Sequence, residues 1–128
     1  MRTFMPALAG AIALTIAASA AADEIGQTTY TRFVCKETEP FLVLVRTPLE
    51  DQAGVVRGFV ADGVCSLRRT PFPVTLEEKV VEATEVDGNA VEIWRVTWTQ
   101  SETPVFVTLD ARTEKKSHFG TRAAFVPA

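Results

Sequence analysis

The sequence predicts a mostly β domain of the α+β class, in which a small, strongly bent antiparallel sheet carries one short helix. An SH3-like barrel is the most specific form of this prediction. Three observations lead to it. Alternating runs of β-branched and aromatic residues fill much of the second half of the chain. Asp87-Gly88-Asn89 lies between two such runs and is typical of a hairpin turn. Helical spacing with a helix-start signature occurs in one segment, beginning at Thr47.

The first 22 residues have the layout of a secretory signal peptide. Arg2 is followed by an uncharged apolar run at 7–17 and by small residues at 18–22. That run is shorter than the roughly 20 residues that span a bilayer as a helix, so no transmembrane anchor is expected. An alanine-rich core helix is the alternative, and it fits the position and flanks less well. We expect cleavage after Ala22, or after Ala20, and a periplasmic or secreted protein.

Cleavage would leave one domain at 23–110 and a C-terminal tail at 111–128, which we expect to be loosely ordered because its alternation is lost. The chain has a net charge of −3. Such a mildly acidic protein has no general attraction for nucleic acid. The region 74–110 is acidic and the tail is basic. Either the tail folds back over the acidic sheet, or the acidic face meets a basic partner.

Cys35 and Cys65 are the two cysteines of the chain. In an exported protein they are expected to form one disulfide. Closing a loop of about 30 residues would contribute roughly 3–4 kcal/mol in the chain-entropy model. A redox-active or nucleophilic cysteine is the alternative. It is disfavoured because the spacing is far from C-x-x-C and neither cysteine has a histidine neighbour.

The first part of the expected domain contains two strands and the helix. Residues 30–35 (YTRFVC) alternate and predict a first strand. Residues 41–45 (FLVLV), framed by prolines, predict a buried strand. Thr47 then fits an N-cap, Pro48 the first helical position, and Glu50 the third residue of a capping box. The helix is expected to stop at Asp62-Gly63.

The second part of the domain is predicted to be an antiparallel meander. Pro71 and Pro73 are expected to interrupt the chain at 70–73. An extended segment at 74–86 then leads into the hairpin turn. Residues 91–99 (VEIWRVTWT) and 105–109 (VFVTL) are the next two strands, joined by a turn at 101–104.

No group of residues requires a particular chemistry, so no enzyme activity, metal or cofactor is expected. The chain has a single histidine, His118, which is expected to be solvated in the tail. Zinc sites need several converging ligands, and no serine lies in a G-x-S-x-G turn. Glu82 and Glu85 belong to a group of carboxylates around the hairpin. A solvated sheet face explains them better than a paired-carboxylate hydrolase does.

Trp94, Val96 and Trp98 share one face of the predicted strand at 91–99, at a period of two. The favoured interpretation is that these side chains form the core of a small barrel. The alternative is a partly exposed aromatic platform that binds sugars, peptides or a protein.

These observations favour a non-enzymatic binding or accessory module whose partner is a periplasmic or cell-envelope protein. Its possible binding surface comprises Trp94, Trp98, Glu82 and Glu85. The alternative is an inhibitor that presents its acidic face to a basic cell-envelope hydrolase such as lysozyme.

Overall fold

The computed structural model describes residues 24–111 and 117–119. The predicted signal peptide and its cleavage positions lie outside the described residues. The elements, in chain order, are β1 (Thr28–Cys35), α1 (Glu39–Val45), α2 (Leu49–Ala61), β2 (Cys65–Thr84), β3 (Ala90–Thr97) and β4 (Val105–Asp110). The four antiparallel strands close into a barrel in the order β1-β2-β3-β4. The prediction of a mostly β, bent antiparallel sheet is therefore confirmed, with two helices in place of one. In the described part of the chain, no helix is both long and apolar enough to cross a membrane.

The predicted disulfide joins Cys35 and Cys65 and is confirmed. The two residues face each other across the β1–β2 pair, with 4.0 Å between their Cα atoms. Next to them, the Lys36 amide donates to the Val64 carbonyl oxygen over 2.9 Å. Both helices lie in the connection between the two cysteines. The disulfide thus joins the two ends of the segment that contains both helices.

The prediction of a strand at 41–45 is wrong, because this segment belongs to α1. Pro40 lies in the first turn of α1, where its fixed φ favours a helix and its missing N–H costs nothing. Phe41, Leu44 and Val45 are buried along one side of the helix. A short run that is apolar throughout does not reveal its period. Here the segment forms no strand pairing, and one helical face packs on the core.

The predicted helix is confirmed as α2, but its start differs from the prediction. Pro48 is the N-cap residue, with an extended backbone at φ −55° and ψ 147°. The Thr47 hydroxyl donates to the Val43 carbonyl oxygen of α1 over 2.7 Å, so it does not cap α2. Gly63 follows the helix end with φ +76°, a conformation that favours glycine.

The expected interruption at Pro71 and Pro73 is also wrong, since β2 continues through both prolines. Residues 68–71 of β2 lie opposite Arg32 alone on β1, which makes a wide bulge. Pro71 lies in this bulge, where the local ladder hydrogen bonds are already absent. Pro73 lies beyond the bulge, opposite Tyr30. The prolines therefore lie in and beside a bulge within a long strand and do not end it.

The predicted meander of β2, β3 and β4 is confirmed. Gly88 has φ +97° in the β2–β3 turn, and the Asp87 carboxylate accepts the Asn89 amide over 3.2 Å. β3 pairs in register with β4 from Val91↔Asp110 to Val96↔Val105. The pairing that closes the barrel is shorter. In the described strands, β1 pairs with β4 at Cys35↔Phe106.

The core has two parts. One lies between the helices and the sheet and includes Phe33, Phe41, Leu44, Val56, Ile93 and Phe119. The other is formed by Val34, Val74, Leu76, Trp94, Val96, Trp98, Val105, Val107 and Leu109.

Three residues of the predicted loose tail are buried in this structure. Ser117 pairs with Leu109, and the His118 amide donates to the Thr108 carbonyl oxygen over 2.9 Å. The Phe119 ring is fully buried and stacks on Phe41, with 6.2 Å between the centroids. Residues 117–119 therefore belong to the folded domain, because apolar contact and backbone pairing hold them there. The rest of the tail lies outside the described residues, apart from position 111.

The first testable prediction concerns the disulfide. Replacing Cys35 and Cys65 together by serine should lower the free energy of unfolding by about 3–4 kcal/mol, because the unfolded chain regains the entropy of the open loop. Urea unfolding of the oxidised protein and of the double variant measures the difference. Reductant should lower the stability of the original protein only. Equal stability of the two proteins would contradict the prediction.

Candidate functional site

The two tryptophans lie in the core, as the favoured interpretation expected. Trp94 is 1 % exposed, and its indole N–H donates to the Glu92 carboxylate over 3.0 Å. Trp98 is 7 % exposed. Its ring stacks on Phe72 at 4.6 Å, and the Arg68 guanidinium lies 5.2 Å from the ring centroid. The alternative of an aromatic platform is wrong, because neighbouring side chains cover these rings.

Glu82 and Glu85 do not share a surface. The Glu82 side chain is exposed and forms an ion pair with Lys79 over 2.8 Å. Glu85 is 3 % exposed and accepts a hydrogen bond of 2.9 Å from the Gln52 side chain of α2. The placement of Glu85 on a binding surface is therefore a prediction that the structure corrects. Glu85 directly follows β2, and its side chain is hydrogen-bonded to α2.

His118 forms the centre of a buried polar cluster. Its Nε2 lies 2.6 Å from Glu85 Oε1, and its Nδ1 is hydrogen-bonded to the Asp110 carboxylate. The His118 side chain is buried, so the expectation of a solvated tail histidine is wrong. Gln52 extends the cluster, since its amide also donates to the Leu44 carbonyl oxygen over 3.2 Å. We call Gln52, Glu85, Asp110 and His118 the histidine cluster.

Sequence reasoning missed this cluster because its members are far apart in the chain. Glu85 and His118 are separated by 33 positions. The one local signal is the aromatic Phe119 beside His118, in a segment otherwise rich in polar residues. An aromatic residue next to a lone histidine is weak reason to expect burial.

The geometry of the histidine cluster indicates a structural role. Its two carboxylates contact opposite nitrogens of one ring, so they do not converge on a common ion. Within 24–111 and 117–119, no group of three or more metal-ligating side chains could hold a metal. Each ring nitrogen of His118 has a carboxylate partner, which leaves neither in position to accept a substrate proton.

A groove lies at the other end of the barrel, beside the bulge in β2. It consists of two adjoining depressions of about 180 and 350 Å³, both lined by Arg68, Trp98 and Gln100. Lys36 borders the smaller depression and Arg69 the larger. We call this feature the basic groove and define it by these five residues.

The bulge explains why two consecutive arginines border the same groove. Successive side chains of a regular strand point to opposite faces. Residues 68–71 are bulged, and both Arg68 and Arg69 line the larger depression. Arg68 is held there by its position over the Trp98 ring and by donating from Nη2 to Gln100 Oε1 over 3.2 Å.

The cations of the basic groove lack acidic partners within the described ranges. No carboxylate there forms an ion pair with Lys36, Arg68 or Arg69. All three residues are exposed. In the part of the chain that the structure describes, the groove therefore bears three exposed cations outside any ion pair, on a protein whose net charge is negative.

The acidic residues near the hairpin are partly neutralised by local cations. The Thr97 hydroxyl, and then the Arg95 guanidinium, lower the pKa of Glu77 against the opposing effect of burial. The hydrogen bond to Glu82 raises the pKa of Lys79, and nearby carboxylates add to this effect. Arg95 also contacts Glu78 over 3.0 Å. The basic tail residues Arg112, Lys115, Lys116 and Arg122 lie outside the described residues.

Comparison with known proteins adds no family. No family model, curated protein or solved structure matches the chain. The SH3-like form of the barrel stays a prediction.

Tryptophan fluorescence tests the placement of the two indoles. We expect a blue-shifted emission maximum in the native protein, because both rings are buried, and a red shift on unfolding in urea. Trp94→Phe and Trp98→Phe variants separate the two signals, and each remaining indole should be blue-shifted. Emission typical of water-exposed indole from either native variant would show that this ring is outside the core.

The histidine cluster is tested by removing its central residue. His118→Ala should lower the free energy of unfolding by about 3 kcal/mol, because Glu85 would lose its ring partner while buried. Glu82→Gln is the matched control and should cost about 0–1 kcal/mol, since its ion pair is exposed. Chemical denaturation of both variants gives the comparison. Similar small losses in the two would mean that the cluster does not hold the fold.

Proposed function

We propose that this protein is an exported, non-enzymatic binding or accessory module of the cell envelope, and that the basic groove is its binding surface. The observation that carries this proposal is a set of exposed cations, Lys36, Arg68 and Arg69, without acidic partners in the described ranges. One of them, Arg68, is held in place by an aromatic ring and an amide.

Export is supported by the signal layout of the first 22 residues and by the disulfide. Disulfides persist in oxidising compartments such as the bacterial periplasm. The Cys35–Cys65 bond joins two buried residues at the two ends of the segment that contains both helices. This position suits a structural bond in such a compartment.

A non-enzymatic role is supported by how the polar side chains are used. His118 contacts carboxylates through both ring nitrogens and contributes to the fold. The described residues that line the basic groove include no carboxylate, whereas catalysis by paired carboxylates needs a cleft with a desolvated acid.

The proposed surface differs from the one that the sequence indicates. Of its four residues, Trp94 and Glu85 are buried, and Glu82 lies among paired charges near the hairpin. Trp98 remains part of the site, as the ring beneath Arg68. The binding surface is thus moved from the acidic hairpin to the basic groove.

Inhibition of a basic envelope hydrolase has less support. That role needs free carboxylates on one face, and Glu77, Glu78 and Glu82 pair with Arg95 or Lys79. Paired charges attract a basic partner less strongly than free ones do.

Site-directed photo-cross-linking in a Gram-negative host tests the proposal. The full chain carries a photoreactive phenylalanine analogue at Thr70, which lines the basic groove, or at Glu50, an exposed control position on α2. We expect the processed protein in the periplasm, with a discrete cross-linked product from Thr70 and none from Glu50. Arg68→Gln should reduce the Thr70 product, because it removes a binding cation.

Two results would contradict the proposal. One is an uncut chain in the cytosol, and the other is the same labelling from both positions. The purified protein should also leave lysozyme active. Inhibition that is lost in Glu82→Gln would instead support the inhibitor role.

A further inference from the structure

Within the proposed function, on which this step rests, we infer that the basic groove binds an acidic segment of another polypeptide. Its carboxylates contact Arg68 and Arg69, and an apolar side chain enters the smaller depression.

Arg68 has the geometry of a carboxylate receptor. A guanidinium presents several N–H donors in one plane and pairs with a carboxylate through two parallel hydrogen bonds. One donor of Arg68 is used by Gln100, and the Trp98 ring lies against the guanidinium. These two contacts restrict the side chain before a ligand arrives, so less conformational entropy is lost on binding.

The cations of the groove suit several carboxylates in a row. Arg68 and Arg69 border the larger depression, and Lys36 borders the smaller one on the other side of Arg68. A single small anion would contact one or two of these groups. An extended chain with repeated acidic residues could contact all three.

The smaller depression suits a side chain. Val34, Val64, Val105 and the disulfide-bonded Cys35 line it together with the polar residues Ser66 and Ser101. Its volume of about 180 Å³ lies below the roughly 300 Å³ at which small-molecule pockets begin. This space admits one side chain and not a whole cofactor.

A peptide is favoured over an anionic glycan because the Trp98 ring of the basic groove is covered. Sugars bind aromatic rings by lying flat on them, and here Phe72 and Arg68 already contact the Trp98 ring. Trp98 is also only 7 % exposed. Its role is to position Arg68.

Fluorescence anisotropy with a labelled peptide tests this inference. The probe alternates glutamate with leucine, and the comparison peptide has glutamine in place of every glutamate. The processed, oxidised protein should bind the acidic probe saturably and more weakly as salt rises, because exposed charges are screened. Binding to the glutamine peptide should be at least about tenfold weaker, as expected when charge-assisted hydrogen bonds are lost.

Variants locate the binding in the groove. Arg68→Gln and Arg69→Gln should each weaken binding of the acidic probe about tenfold. Gln100→Ala should weaken it less, because Arg68 keeps its charge but loses one contact that holds it. Arg57→Gln, on an exposed residue of α2, removes the same charge outside the groove and should change the affinity less than about twofold. Circular dichroism and the disulfide content check that each variant is folded.

Two groups of results overturn the inference. Equal binding of both peptides, or an Arg57→Gln loss as large as that of Arg68→Gln, would show that the acidic side chains or the groove are not what is recognised. If the acidic peptide does not bind but an oligogalacturonate or phosphatidylglycerol vesicles bind through Arg68, the groove binds a different polyanion and the proposed function stands. If no probe binds through Arg68 and Thr70 gives no cross-link, the inference and the proposed function both fail.

Discussion

The Cys35–Cys65 disulfide is the constraint on which the rest of the structure depends. Cys35 pairs with Cys65 across β1 and β2, and with Phe106 across the seam where β1 meets β4. The covalent bond therefore joins the two ends of the segment that contains both helices. It also lies where β1 meets β4 to close the barrel. A domain this small buries a modest share of its surface, so a cross-link contributes much of its net stability. The same bond lies beneath the smaller depression of the basic groove, which links the stability of the barrel to the shape of the proposed site.

The histidine cluster also holds separate elements of the fold together, through hydrogen bonds and not a covalent bond. It connects the residue after β2, the end of β4, α2 and the C-terminal carbonyls of α1 around one imidazole ring. Buried polar groups are costly unless they are hydrogen-bonded, and partnered groups favour one arrangement of the surrounding elements. Phe119 adds apolar contact to this arrangement by stacking on Phe41. Both helices are thereby held over one side of the sheet.

Charge is distributed differently along the β2–β3 pair and beside the bulge. In the β2–β3 pair, Glu77, Glu78 and Glu82 form ion pairs with Arg95 or Lys79. Beside the bulge, Arg68 and Arg69 have no such partners in the described ranges. A local irregularity of β2 thus places two arginines in the proposed binding surface. Bulges are common next to functional sites because they redirect side chains that a regular strand would send to opposite faces.

Features set by neighbouring residues could be predicted from the sequence. The hairpin at Gly88 and the burial of Trp94 depend on turn chemistry and on alternation, which operate over a few positions. The pairing of Cys35 with Cys65 could be predicted because they are the two cysteines of the chain. Tertiary structure decided the rest. Residues 41–45 are apolar at every position, and only their place beside the core selects a helix. The burial of His118 and the shared groove of Arg68 and Arg69 depend on contacts between distant segments and on strand register. Local pattern carries no information about either, because distance along the chain does not report distance in space.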